Sequence, residues 1–186
     1  MKTIGEWLEV RCAHVADCRV FSVERSSARL LEDGTEHDFY RIKSVDWAQI
    51  VPVTASGDVV MVRQYRHGVQ RETLEIPGGL VDRGEAPGDA AVREMLEETG
   101  YRAASVRPLG VLSPNPALFS NRLHAFVGEG AERVGPIRNS GAERTSVEIV
   151  PQSEISRLLI EGVIDHALVV ATLWRYLHDA GGAALR

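Results

Sequence analysis

The chain has 186 residues, 44% hydrophobic and 25% charged, with 21 Lys and Arg against 26 Asp and Glu, a net charge of -5 and a pI of about 5.7. That length supports one sizeable core, and the acidic balance excludes general attraction to nucleic acid or to an anionic membrane, so an anionic ligand has to be met by local arginines or metal ions. The two cysteines, Cys12 and Cys18, make no disulfide framework, MKTIGEWLEV has no apolar signal core, and no apolar run is long enough to span a bilayer, which together point to a reducing cytoplasm.

Residues of about 14–43 read as β-rich, with one strand followed by two more around the Asp33-Gly34 turn signal, a small antiparallel appendage occupying residues 1–45. WAQIVPV and VVMVRQY, separated by TASGD, predict two central strands opening a second region, 46–186. Further on, SVRPLGVL and RLHAFVGE read as strands, residues near 128–142 as a linker, and TSVEIVP as a strand. Helices are predicted over about 151–161 and 164–179, each ending at glycine.

Between these blocks lies GGLVDRGEAPGDAAVREMLEETGY. Pro87 suits the first helical position, Asp89 the positive end of the dipole and Gly100 a left-handed stop, so a helix is predicted over 87–99. At about 100° per residue, Glu94, Glu97 and Glu98 share one sector, while Val92, Met95, Leu96 and Thr99 lie opposite. A charge run of this kind is usually a solvated face. Like charges three or four positions apart repel, however, and a hard divalent cation between their oxygens relieves that cost. Arg93 stands at the edge of the ridge, where its guanidinium can hold a carboxylate in place, and Glu85 can fold back from the loop. Gly78 and Gly79 allow a tight bend that turns a backbone carbonyl toward the same cations.

Gly79, Glu85, Arg93-Glu94-Met95, Glu97-Glu98 and Gly100-Tyr101 at their spacings resemble a complete Nudix box, and the resemblance extends over most of the chain. It implies an α+β fold, the Nudix α/β/α sandwich with a mixed sheet. It also implies hydrolysis of nucleoside diphosphates linked to another group, with Mg²⁺ or Mn²⁺ as cofactor. Residue by residue, it implies that Glu94 and Glu98 bind metal directly, that Glu97 is a ligand or shares one through water, and that the Gly78 carbonyl contributes. Arg93 and Glu85 would brace them.

VRQYRHG ahead of LEIPGG, Pro116 sixteen residues beyond Gly100, and the closing EGVIDHALVVATLWRYL resemble the ADP-ribose pyrophosphatase subgroup. That subgroup implies that Arg66 contacts the diphosphate, although an edge arginine also suits a surface ion pair, and that Glu75 supports substrate or Arg66. Where the subgroup often has a Ser-Pro-Gly loop and then an acidic residue, this chain has SPNPALFSNRLH, so the second sugar is left open. The subgroup resemblance also implies two acidic residues in the late loop, one a general base and one a ligand. Glu143 matches the base, whereas Glu148 matches only if the loop shifts and by strand alternation falls inside the TSVEIV strand as a structural residue. Trp47 fits either base stacking or core packing, with Phe39 and Tyr40 as comparable candidates. His67, His124 and His166 read as structural or surface residues, since oxygen-rich sites seldom recruit imidazole.

The leading expectation is therefore a cytoplasmic pyrophosphatase for ADP-ribose or a related nucleoside diphosphate sugar, with no nucleic acid or membrane partner. The subgroup resemblance and the uncovered edges of a three-stranded appendage imply a homodimer. The alternatives are a GDP-mannose or other nucleotide-sugar hydrolase, a nucleoside triphosphate sanitiser, and a catalytically inactive nucleotide-sensing module.

Overall fold

A computed structural model describes residues 5–139 and 144–180 of the chain. The backbone divides into two compact units, Met1–Val45 with Ser113–Arg122, and Asp46–Leu112 with Leu123–Arg186.

The first unit is an antiparallel sheet in the order β1 (Trp7–Asp17), β2 (Ser22–Leu30), β3 (Glu36–Lys43). The turn around Asp33 and Gly34 forms as predicted: Gly34 takes φ 80°, and the Thr35 amide donates to Asp33 Oδ1 at 2.9 Å. β1 begins well before residue 14, pairing from Trp7 opposite Leu30. Its side chains are mostly exposed, so no burial periodicity marked it, and its partner strand decides where it starts. Phe39 packs edge-on against Trp7 at 5.1 Å. Residues 113–122 join this unit through Ile42, whose amide donates to the Leu118 carbonyl at 2.7 Å, and through the Asn121 amide, which donates to the Val45 carbonyl at 3.0 Å.

The second unit holds β4 (Trp47–Thr54), β5 (Asp58–Arg66), β6 (Arg71–Glu75), β7 (Gly78–Leu80), α1 (Pro87–Thr99), β8 (Tyr101–Arg102), β9 (Ser105–Leu112), β10 (Leu123–Arg133), β11 (Thr145–Pro151), α2 (Gln152–Ile160) and α3 (Ala167–Ala180). Its eight strands form a mixed sheet, with β4 and β10 parallel and the other pairs antiparallel. Alternation along β4 explains the two layers of core. Ala48 and Ile50 pack with Val81, Ala90, Ala91 and Met95 under α1. Val51 packs with Met61, Leu74, Val127, Ile155 and Leu173 toward α2 and α3. The result is an α/β/α sandwich.

β6, β7 and β8 escaped the sequence reading, and the first two shape the candidate site. β4 and β5 pair at Val53 and Val59, beside their turn, and then each takes a different partner: β5 pairs with β6 from Val62 to Arg66, and β4 with β7 from Trp47 to Gln49. LEIPGG crosses between them, with the Ile50 amide donating to the Pro77 carbonyl at 3.0 Å. β6 and β7 are short and are defined by this gap rather than by any local pattern. β10 also differs from expectation. It runs through Gly128 and Gly130 to Arg133, where a linker had been predicted, because Glu132 and Arg133 pair with β8.

Met95 is fully buried beneath α1. Met95→Ala should cost about 2–5 kcal/mol of stability in urea unfolding; a loss below about 1 kcal/mol would show that α1 is not anchored through this side chain.

Candidate active site

Helix α1 has the predicted bounds. Ala86 supplies no side-chain cap, Pro87 opens the first turn, and Gly100 closes the helix at φ 73° with its amide donating to the Leu96 carbonyl. A Cβ at Gly100 would also collide with the Gly135 carbonyl, so glycine is required there for both conformation and space.

The acidic face is graded in exposure: Glu97 remains open to water, Glu94 is half-buried and Glu98 is turned into the protein. Glu98 is 3% exposed, and its Oε2 accepts the Gly78 amide at 3.0 Å. Glu94 lies against the loop, where a Cβ on Gly79 would collide with its carboxylate; the second glycine leaves room for that group. Arg93 gathers the acids. Its Nε and Nη2 donate to the two Glu85 oxygens at 2.9 and 3.0 Å, Nη2 also donates to the Leu80 carbonyl at 3.0 Å, and Nη1 lies 2.8 Å from Glu94 Oε1 and 3.4 Å from Glu97 Oε2. The bonds to Arg93, with the Asp82 amide, hold the Glu85 carboxyl below its ordinary pKa, and those to Glu85 and Glu94 raise that of Arg93.

On the opposite side of the LEIPGG crossing, Arg66 at the end of β5 grips Glu75 in a fork, Nε to Oε1 at 2.8 Å and Nη2 to Oε2 at 2.7 Å. Thr73 Oγ1 adds a third bond to Glu75 at 2.6 Å. Burial pushes the Glu75 carboxyl up, but the Arg66 hydrogen bonds and charge, helped by Thr73 and His166, outweigh burial and leave it lowered. Arg66 is thus oriented through a buried carboxylate while remaining 41% exposed itself.

The remaining sequence candidates fall as follows. Trp47 opens β4 opposite Leu80 and Leu123 and is half-buried. Glu148 lies in β11 and is ion-paired with Arg63 at 2.5 Å. His124 lies 2.9 Å from Asp46, and His67 packs edge-on with Tyr65. Glu143 lies outside the described residues.

Sequence reasoning missed the strap of residues 134–139 and Thr145, which runs along the end of α1. The Val134 and Gly135 amides donate to the Gly100 carbonyl at 2.8 and 3.1 Å, and the Arg138 amide donates to the Glu97 carbonyl at 2.7 Å. Thr145 Oγ1 lies 2.9 Å from the Glu98 carbonyl. No local signal announces these contacts, because they join the helix to a segment 40 or so positions later.

Among the described residues, no group of three or more His, Cys, Asp or Glu is placed so as to hold a metal ion. The donor chemistry nonetheless fits a hard divalent cation: Glu94, Glu97 and Glu98 offer carboxylate oxygens within two turns of one helix, and the Gly79 position leaves space for one of them.

The chain is thus an α+β protein, an α/β/α sandwich with an acidic helix docked on a glycine bend between diverging strands. The NUDIX domain matches residues 45–173, and the chain belongs to the Nudix family. Nudix hydrolases generally use divalent metals. A CMP-5'-(N-acetyl-N-hydroxy-3-aminopropyl)phosphonate hydrolase of Streptomyces rubellomurinus is 33% identical over 150 residues, 80% of this chain and 71% of that one. An ADP-ribose pyrophosphatase of Bacillus subtilis is 35% identical over 80 residues, 43% of either chain, so the chain spans less than half the length of that relative. The crystal structure of an ADP compounds hydrolase superposes with a TM-score of 0.84 at 23% identity, covering 98% of each chain, which shows the fold. Among the described residues, no helix is long and apolar enough to cross a membrane.

Because the folded-state pKa of Glu75 is lowered, the stability its ionisation contributes is fully present above the ordinary carboxyl value of about 4.3 and is lost as pH falls through the lower folded value. Glu75→Gln should therefore be less stable than the parent by about 1–3 kcal/mol at pH 7, with the gap narrowing below pH 4 or so. Urea midpoints across that range measure it, and a gap that widens on acidification contradicts the assignment.

Proposed function

We propose that the protein is a metal-dependent pyrophosphatase that hydrolyses the diphosphate of ADP-ribose or a related nucleoside diphosphate sugar to a nucleoside monophosphate and a sugar phosphate. The observation that carries this reading is the Arg93 cluster on α1, with Glu85, Glu94 and Glu97 around one guanidinium and Glu98 on the Gly78 amide, in a chain of the Nudix family. The Bacillus relative named for ADP-ribose supports the substrate class.

In this reading Glu94, Glu97, Glu98 and the Gly78 carbonyl hold Mg²⁺ or Mn²⁺, and Arg93 and Glu85 brace them. Such a cation, when bound, neutralises the diphosphate and lowers the pKa of a bound water. Arg66, oriented by Glu75, meets a diphosphate oxygen, and Trp47 offers a face for the base. Glu143 takes the proton of the attacking water. The protein works in the cytoplasm as a homodimer, without nucleic acid or membrane partners; its negative net charge supports the last point, and exposed apolar side chains at Trp7, Leu8 and Val10 support the pairing of N-terminal units. The Streptomyces relative, named for a CMP-linked phosphonate, favours a second reading in which the same phosphorus chemistry serves a different base and leaving group.

Glu98→Gln should keep the fold and lose turnover by about three orders of magnitude or more, since one less charge weakens both nucleophile formation and charge neutralisation. Assayed with Mg²⁺, the parent should turn ADP-ribose into AMP and ribose 5-phosphate with little action on ATP; near-normal turnover by the variant would overturn the metal assignment, and faster release of pyrophosphate from ATP would overturn the substrate class.

A paired experiment addresses the base. Glu143→Gln should lower kcat far more than KM and remove the acidic limb of the pH profile, because a base acts in the transition state alone. Glu148→Gln should have a much smaller effect on kcat, given its ion pair with Arg63. Greater damage from Glu148→Gln would reverse the two roles.

A further inference from the structure

The last turn of α1 carries Glu97 and Glu98, and a helix end leaves its final carbonyls without intrahelical donors. Here those carbonyls are met from outside. Arg138 supplies a backbone amide to Glu97, but at Glu98 the partner is a side chain, Thr145 Oγ1 at 2.9 Å. The same hydroxyl lies 2.8 Å from Asn139 Oδ1. A hydroxyl has one proton to donate, so the arrangement is satisfied when Thr145 donates to the Glu98 carbonyl and the Asn139 amide, turned end for end, donates to Thr145. Glu98 is then held at two points: its carbonyl by β11 and its carboxylate by the Gly78 amide of β7.

We propose that Thr145 is a positioning residue for this site, its hydroxyl fixing the main chain of Glu98 so that the carboxylate stays on the Gly78 amide and at a constant distance from the glycine bend. The inference deepens the reading of Glu98 as a metal ligand and rests on it. Thr145 sits at the first position of β11, in register with Gln64 of β5, so its Cα is set by the sheet ladder and not by the helix it touches. The hydroxyl therefore transmits the position of a rigid strand to the residue whose side chain reaches the site. Valine has nearly the same shape and the same β-branch but no donor, so Thr145→Val removes the hydroxyl contact while leaving the strand intact.

The test is hydrogen exchange on the full chain without metal or substrate, followed by metal titration of activity. In Thr145→Val the Gly78 amide should exchange about fivefold to tenfold faster, while the amides of Val60 and Met61 in β5 keep their parent rates, and Thr145→Ser should restore Gly78. The Mg²⁺ concentration giving half-maximal hydrolysis of ADP-ribose should rise by a similar factor in the valine variant, with KM for ADP-ribose unchanged. Unchanged exchange at Gly78 overturns the proposal. So does equal acceleration in β5, which marks general destabilisation, and so does an unaltered Mg²⁺ requirement despite faster exchange at Gly78. The exchange measurement is independent of the reaction: full activity in Glu98→Gln would end the metal reading and leave the Thr145 contact standing, whereas silent exchange in Thr145→Val would end the contact and leave the metal reading standing.

Discussion

Carboxylates crowded onto one helix and its preceding loop repel one another, and the second unit depends on how that repulsion is relieved. Arg93 touches Glu85, Glu94 and Glu97 and also the Leu80 carbonyl, so one guanidinium ties the helix to the loop that leads into it. Its planar fork makes this possible: five donors in fixed directions can serve several oxygens at once, which a lysine ammonium on a flexible stem does less well. The apolar side of the same helix, Ala91 and Met95 among its residues, is pressed onto Ile50 of the sheet. Packing from one side and charge pairing from the other leave the helix little freedom to roll.

The second constraint is the gap between β4 and β5. Strands that stayed paired along their whole length would leave no room for LEIPGG, and the glycine bend could not reach the helix. Because they part, one short crossing places the Glu75–Arg66 fork on one side and the Gly78–Glu98 contact on the other, with Ile76 and Pro77 between them. An apolar Ile76 with 1% exposure anchors the crossing in the core, so the two polar clusters are separated by a rigid step of a few residues.

What could be read from the chain divides along physical lines. The bounds of α1 were legible because proline and glycine act locally, through φ and through a missing N–H or Cβ. β4, β5, β9 and β11 were legible as apolar or alternating runs, and the hairpin of the first unit as Asp33-Gly34. Strands that exist only because of a distant partner were not: β6 and β7 fill a gap, β1 has little buried surface to pattern, and the far end of β10 forms on glycines because β8 lies beside it. The acidic ridge was visible by helical spacing, yet the burial of Glu98 within it was not, since spacing says which residues share a face and nothing about what covers that face. The same limit hid Thr145 and Arg138. The grouping of residues 113–122 with the N-terminal strands depends on Ile42, Leu118 and Phe119, none of which carries a local mark of it.

That last grouping bears on the order in which the chain can mature on the ribosome. An N-terminal unit ordinarily folds as soon as its own stretch has emerged. Here the three strands are complete at Lys43, but the decapeptide that bonds to Ile42 and Val45 emerges only after β4 through β9 and the whole of α1 have been made. The unit whose strands are synthesised earlier is therefore not the one that can be finished earlier, and its completion has to wait on the elements that carry the candidate site.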